Sequence, residues 1–221
     1  MRPILVIAYV QHGQKGTGYD PGAWADIDGD GIKETWEQEA RLAAGYASLI
    51  AGVANKFGAE GHPVSGLMVG WGDEIDALQY DAGHARVNAI AADWHARNPG
   101  GVSVALACHC NAGGGTYGVV AWDERSGLGR DCAANIATAW KHGIPAASAV
   151  KRWVAKSDGQ RFERHMHYTV RGGYAGPARH CSVLLEPGFL DTPAHRAMWT
   201  PQGLDQIARA TVAGLLTWAD Q

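Results

Sequence analysis

The chain predicts an α/β fold: a mostly parallel, twisted central β-sheet with helices on both faces. Short apolar runs at 4–10, 63–69, 102–108, 118–122 and 181–185 are bounded by Gly, Pro or Asn, the pattern of strands covered on both sides. Segments of helical period lie between several of them, so the strands need crossover connections rather than tight hairpins. Such sheets bind ligands at the carboxyl ends of their strands. His12, His109 and Glu186, from three unrelated segments, each fall just past such an end.

The elements follow in order. Ile4 to Val10 is an uninterrupted apolar or aromatic run, a buried first strand. Leu42, Tyr46, Leu49, Ile50, Val53 and Phe57 mark one face of a helix, with Gly58 placed to end it. Val87, Ile90, Ala91 and Trp94 mark a second helix of the same kind. Thr200-Pro201 reads as an N-cap followed by proline at the first helical position, and Leu204, Ile207, Ala208, Val212 and Leu215 continue that helix's apolar stripe. Segments 123–131 and 155–180 are rich in Gly and charge, and the second is expected to be a long loop or hairpin framing a cleft. No repeat, low-complexity tract or linker interrupts the chain, so 1–221 is expected to form one domain.

Composition sets the outer bounds. A chain of 221 residues with 46% hydrophobic and 19% charged residues can bury a large core without disulfide or metal staples. A net charge of −3 gives no electrostatic footprint for nucleic acid or an anionic membrane. Cys108, Cys110, Cys132 and Cys181 have no C-x-x-C spacing, which argues against a zinc ribbon or redox dithiol. Cys108 and Cys110 share a strand face and are expected to be reduced, partly buried thiols. Met1-Arg2-Pro3 lacks the basic region of a signal peptide, and no apolar run reaches the length of a membrane span.

The chemistry starts from Val183-Leu184-Leu185-Glu186-Pro187-Gly188-Phe189-Leu190, an apolar strand ending in one carboxylate and a turn. A carboxylate at the mouth of a buried strand is a candidate for proton transfer. The other reading is a turn cap or an ion pair with Arg179. His12, in Val10-Gln11-His12-Gly13, and His109, in Cys108-His109-Cys110-Asn111, are the imidazoles of a candidate zinc site, which needs about three protein ligands and an open position. The third ligand is expected from Glu37, in Thr35-Trp36-Glu37-Gln38-Glu39 at a helix start, with Glu34 as the alternative.

His12, Glu37, His109-x-Asn111-Ala112 and Leu185-Glu186-Pro187-Gly188-Phe189-Leu190, in that order, resemble the zinc-dependent N-acetylmuramoyl-L-alanine amidases of the type 3 class. The resemblance runs from about residue 4 to the C-terminal helix. It implies a type 3 amidase-like fold and Zn²⁺ held by His12, Glu37 and His109, with Glu186 as the catalytic carboxylate. The bond cut would be the amide between N-acetylmuramic acid and the L-alanine of the stem peptide in peptidoglycan. Two departures stand out. The family's Asp-x-Gly before the first histidine is Tyr9-Val10-Gln11 here, and its Ser-Asn pair after Phe-Leu is replaced by Asp191-Thr192-Pro193.

Asp26-Ile27-Asp28-Gly29-Asp30-Gly31, followed at position 12 by Glu37, matches the D-x-D-x-D-G-x₅-E pattern of a calcium loop and reads as an insertion over 26–37. The pattern claims Glu37 for Ca²⁺ while the resemblance claims it for zinc, and one carboxylate can hardly serve both. Three readings stay open: Ca²⁺ on Asp26, Asp28 and Asp30 with Glu34 or a carbonyl; a solvated acidic turn; or a calcium loop with Glu34 on zinc. Around the cleft, Asn111 and Arg171 are candidate substrate contacts. Arg171 belongs to a basic stretch with Arg161, Arg164, His165 and His167, and Trp24, Trp36, Trp122 and Trp153 are candidate sugar-stacking aromatics.

The expectation is thus a monomeric, single-domain zinc amidase of peptidoglycan without a separate wall-binding domain. It would bind glycan strand and stem peptide but no nucleic acid. With no signal peptide read, it would be an endolysin made in a host cytoplasm and released to the wall at lysis. The competing expectations are a zinc peptidase or amidohydrolase acting on a small soluble amide, and a non-catalytic calcium-dependent wall-binding module.

Overall fold

The computed structural model describes residues 2–15, 18–69, 80–144, 152–157 and 178–221. Six strands form the central sheet: β1 (Ile4–Val10), β4 (Val64–Val69), β5 (Val102–Cys108), β6 (Tyr117–Trp122), β7 (Arg152–Ser157) and β8 (His180–Glu186). Their spatial order is β4-β1-β5-β8-β6-β7. β4, β1, β5 and β8 run parallel, and β6 reverses against β8 and pairs in parallel with β7. A small antiparallel pair, β2 (Gly13–Lys15) and β3 (Gly18–Asp20), leaves the sheet just after β1.

Alternating side chains of the strands feed two apolar layers. Ile4, Val6, Ala8 and Val10 of β1 join Tyr46 and Ile50 of α1 (Glu39–Ala59), Trp140 of α3 (Gly127–Gly143) and Ile207 and Leu215 of α4 (Pro201–Ala219). Leu5, Ile7 and Tyr9 join Val87 and Ala91 of α2 (Tyr80–Arg97) on the other face. The expected mostly parallel sheet with helices on both faces is therefore present. The period of two along each strand decides which helix a residue meets.

Thr200 caps α4 as expected, its hydroxyl accepting from Gly203 N at 3.1 Å, with Pro201 at the first helical position. Gly58 does not end α1, which runs one residue further. It is small because a Cβ there would collide with the carbonyl oxygen of Val64. Gly66 of β4 meets α1 in the same way: a Cβ would lie 2.7 Å from Ala51 Cα and nearer still to its carbonyl oxygen. Backbone cannot yield as a flexible side chain does, so Gly66→Ala is expected to cost about 1–3 kcal/mol, read as a lower midpoint in urea. An unchanged midpoint would show that α1 can lift from the sheet.

Two elements fall where no strand or helix was expected. α3 starts inside the Gly-rich segment 123–131, where Ser126 Oγ caps it by accepting from Gly129 N at 2.9 Å. β7 carries Arg152 and Lys156 and occupies the sheet edge, so it shows no apolar run. Residues 158–177 of the segment expected to frame the cleft, including Arg161, Arg164, His165, His167 and Arg171, lie outside the described residues.

A partly buried polar chain sits at the amino ends of β5 and β8, away from the strand ends that carry the candidate site. His180 Nδ1 lies 2.7 Å from Ser103 Oγ, which lies 2.9 Å from His95 Nε2. Burial, and then the neighbouring His95, lower the pKa of His180 from 6.5 to about 4. The unfolded chain takes up this proton below its ordinary pKa while the folded chain does not. Stability is therefore lost as pH falls from 6.5 to about 4, by about 3 kcal/mol. His180→Asn is expected to flatten that limb of a stability-versus-pH curve, and an unaltered slope would remove His180 as its cause.

Candidate metal centre

β1, β5 and β8 are neighbours and parallel, so their carboxyl ends stand side by side and deliver His12, His109 and Glu186 to one edge of the sheet. α1 starts at that edge with Glu39. His12, Glu39 and His109 each offer a ligand atom, all within 4.8 Å of one another. Glu39 Oε1 lies 3.0 Å from His109 Nδ1 and 3.5 Å from His12 Nε2. The two imidazoles meet edge to face, with ring centroids 5.1 Å apart.

Backbone donors fix the carboxylate between them. Glu39 Oε2 accepts from Ala23 N at 2.8 Å, and Oε1 accepts from Cys110 N at 3.1 Å. Burial by itself pushes the Glu39 carboxyl up, but its hydrogen bond to His109, the charges of His109 and His12 and the Ala23 donor outweigh it, so the pKa is lowered. Each imidazole is also met at its far nitrogen. His12 Nδ1 lies 3.0 Å from Asp20 Oδ2, and His109 Nε2 lies 2.7 Å from Gln11 Oε1. Cys110 is pushed well above the usual thiol range by burial, then by Glu39, Cys108 and Glu186, which keeps it protonated beside the cluster. All four cysteines are free and buried.

Glu37 is not in this cluster, and Glu39 stands where Glu37 was expected. Glu37 is fully buried and turns back into the acidic loop. Its Oε1 accepts from Ile27 N and Asp28 N, and its Oε2 accepts from Glu34 N at 2.8 Å. The cause is local backbone. Glu37 ends a short 3-10 turn, Gln38 is extended, and Glu39 opens α1, so the two glutamates leave the chain in different directions. The competition between zinc and calcium for one carboxylate disappears with this division. Glu34 is likewise grouped with Asp28 and Asp30 rather than with the histidines.

The acidic loop is tightly wound. Asp26 Oδ1 accepts from Gly29 N at 2.6 Å and Oδ2 from Gly31 N at 2.9 Å. Gly29 and Gly31 have φ of 83° and 91°, conformations that glycine adopts without strain. Asp26, Asp28 and Glu37 form one group of converging carboxylates, and Asp28, Asp30 and Glu34 form another. Arg196 Nη1 donates to the Asp28 carbonyl at 3.0 Å and ties the loop to the 3-10 turn Pro193–Trp199 that follows β8.

Glu186, the last residue of β8, is 3% exposed and accepts from Asn111 Nδ2 at 2.9 Å. Arg179 stands at the opposite end of β8, roughly 20 Å away at the rise of a strand, so an ion pair between them is ruled out. The turn after Glu186 is knitted to the exit of β5: Asn111 N donates to Gly188 O and Leu190 N to Asn111 O, both at 2.9 Å. The Tyr46 hydroxyl lies 2.7 Å from the carbonyl of His109 and 3.1 Å from that of Leu185, under both exits. The unusual Asp191-Thr192 pair braces the same junction, Asp191 Oδ2 accepting from Gly113 N at 2.9 Å and Thr192 Oγ1 donating to Gly115 O at 2.9 Å. Of the candidate aromatics, Trp24 and Trp36 are exposed beside the acidic loop, Trp122 is half-buried and Trp153 lies on β7.

Fold and site together define a doubly covered α/β protein with a His-Glu-His group able to hold a metal ion and a buried carboxylate at the carboxyl ends of parallel strands. Its fold is that of the N-acetylmuramoyl-L-alanine amidases. The structure of such an amidase from Clostridium difficile 630 superposes with a TM-score of 0.62 at 18% identity, covering 100% of this chain and 98% of the other. The amidase AmiC2 of Nostoc punctiforme gives 0.61 at 16% identity, covering 99% and 98%. The catalytic domain of the CD27L endolysin targeting Clostridia difficile gives 0.58 at 17%, covering 98% of each chain. No family model and no curated protein matches the sequence.

Proposed function

We propose that the protein is a zinc-dependent N-acetylmuramoyl-L-alanine amidase, with His12, Glu39 and His109 as ligands and Glu186 as the catalytic carboxylate. The observation that carries this reading is the convergence of two imidazoles and one carboxylate within 4.8 Å, on the sheet edge where Glu186 ends β8. Two nitrogens and one oxygen suit Zn²⁺ and leave a coordination position open. Bound there, zinc would acidify water and polarise the scissile carbonyl of the muramoyl–alanine amide.

The chain's own residues do the rest. Glu186 takes the proton of the attacking water and returns it to the departing alanine amine, which leaves as a neutral amine. Asn111, a candidate substrate contact, holds Glu186 through its amide and thereby sets the direction from which the carboxylate works. Arg171, outside the described residues, remains a candidate contact to the stem peptide. The catalytic domain fills 1–221, with 26–37 as an insertion, and acts as a monomer. Among the described residues no helix is long and apolar enough to cross a membrane. The setting we propose is an endolysin made in a host cytoplasm and acting on the wall at lysis.

Digestion of purified peptidoglycan followed by mass spectrometry tests this reading. Free stem peptides bearing an L-alanine amino terminus are expected. Their absence, with turnover of small soluble amides instead, would favour the peptidase alternative, and binding to wall without any cleavage would favour the non-catalytic one.

Calcium is the second cofactor of this reading, held by Asp26, Asp28 and Asp30 with Glu37 at the closing position. Desolvation, the hydrogen bond to Glu37 and the charges of Asp30, Glu37 and Asp28 raise the pKa of Glu34, a sign of crowded negative charge that a cation would relieve. Because Glu37 and Glu39 are separated by one residue, an ordered loop would also fix the start of α1. At saturating zinc, calcium at about 100 times its Kd is expected to add about 2.7 kcal/mol. That corresponds to a Tm rise of roughly 5–10 °C. An identical Tm with and without calcium would leave the loop as a solvated acidic turn.

A further inference from the structure

An imidazole binds a metal through one nitrogen only if the other carries the proton, and that proton needs an acceptor. His109 presents Nδ1 to the cluster, 3.0 Å from Glu39 Oε1, and Nε2 to Gln11 Oε1 at 2.7 Å. We propose that Gln11 is a positioning residue for the metal. Its side-chain oxygen accepts a hydrogen bond from His109 Nε2–H, which holds the proton on Nε2 and leaves the Nδ1 lone pair facing His12 Nε2 and Glu39 Oε1. The inference rests on the zinc reading above.

Sheet register makes the contact. Val10 is paired with Cys108 across β1 and β5, so the next residue of each strand, Gln11 and His109, emerge side by side. His109 is 2% exposed, and an Nε2–H without an acceptor there would be a buried orphan costing about 1–3 kcal/mol. Gln11 stands where the resembled amidases carry glycine, so in this chain the residue just before one ligand reaches across to orient another. The direction of its amide matters. Turned the other way, the carboxamide would donate to Nε2 and force the His109 proton onto Nδ1, the form that cannot bind a metal through Nδ1. Asp20 plays the matching part at His12, from β3.

The test is the zinc affinity of the full chain, measured by competition with a chromophoric chelator for the wild type, Gln11→Met and Gln11→Glu. Met fills the space without a strong acceptor, and Glu restores one. Gln11→Met is expected to weaken zinc binding by about 10-fold or more, the usual effect of removing an outer partner, while Gln11→Glu stays within about 3-fold of wild type. Without zinc the His109 proton can sit on Nδ1 instead, 3.0 Å from Glu39 Oε1, which avoids the orphan. The Tm of the three zinc-free proteins is therefore expected to agree within about 2 °C, the shift of less than 1 kcal/mol in a chain this long. Equal affinity in all three proteins overturns the proposal, and so does an equal loss in both variants, which would mark Gln11 as a packing residue. A wild type that fails to bind zinc overturns the proposed function instead.

Discussion

Glu186→Gln is expected to bind zinc as the wild type does and to hydrolyse the muramoyl–alanine amide about 10²–10⁴-fold more slowly, the usual contribution of a positioned general base and acid. The substitution keeps the shape of the side chain and an oxygen for Asn111 Nδ2, so the turn that joins β8 to the exit of β5 stays in place. The loss should fall on kcat with little change in KM, because the carboxylate acts on the moving proton rather than on the bound substrate. Steady-state hydrolysis of a muramoyl-peptide, with zinc content measured on the same preparation, separates this outcome from its rivals. A variant retaining more than about a tenth of wild-type kcat would remove Glu186 from the chemistry. A variant that loses zinc would place it among the ligands.

The second large effect divides two glutamates that a sequence reader would treat alike. Glu39→Ala removes the carboxylate that lies between His12 and His109 and accepts from Ala23 N and Cys110 N. Zinc affinity is expected to fall by more than the about 10–100-fold typical of an outer partner, and hydrolysis should fall with it. Glu37→Ala removes the acceptor of Ile27 N, Asp28 N and Glu34 N and opens the acidic loop. It should keep one zinc per chain yet lose stability, by about 1–3 kcal/mol for each donor that stays dry. Metal analysis and Tm of the two variants decide the matter. The reverse pattern, with zinc lost in Glu37→Ala and kept in Glu39→Ala, would restore the register first expected from the sequence.

That register shows where reading the sequence stops. His12, His109 and Glu186 could be found because each follows an apolar run, and the end of such a run is where a parallel sheet presents its ligands. Glu39 could not be told from Glu37 by order alone. The distinction depends on a 3-10 turn and one extended residue, Gln38, which no apolar period records. The calcium-loop pattern held the missing signal, since it already claimed Glu37 at its closing position and left Glu39 unassigned. Gln11 and Asp20 are harder still. Their contacts with the imidazoles are placed by sheet register and by a three-residue strand, and neither residue type announces such a partner.

The fold divides in the same way. β1, β5 and β8 are buried on both faces, so hydrophobicity marks their whole length. β7 lies at the sheet edge with charged residues, and α3 begins on Gly127 and Gly129, so composition hides both. β6 runs against β5 and β8 because the short connection 109–116 turns the chain back without a crossover helix, and that segment carries no periodic pattern.

X-ray absorption at the zinc edge of the purified protein tests the central claim most directly. One zinc per chain is expected, with only nitrogen and oxygen neighbours at about 2.0–2.2 Å, from two imidazoles, one carboxylate and water. A sulfur shell at about 2.3 Å would transfer the metal to the cysteines beside His109, and a protein that holds no zinc would contradict the account outright.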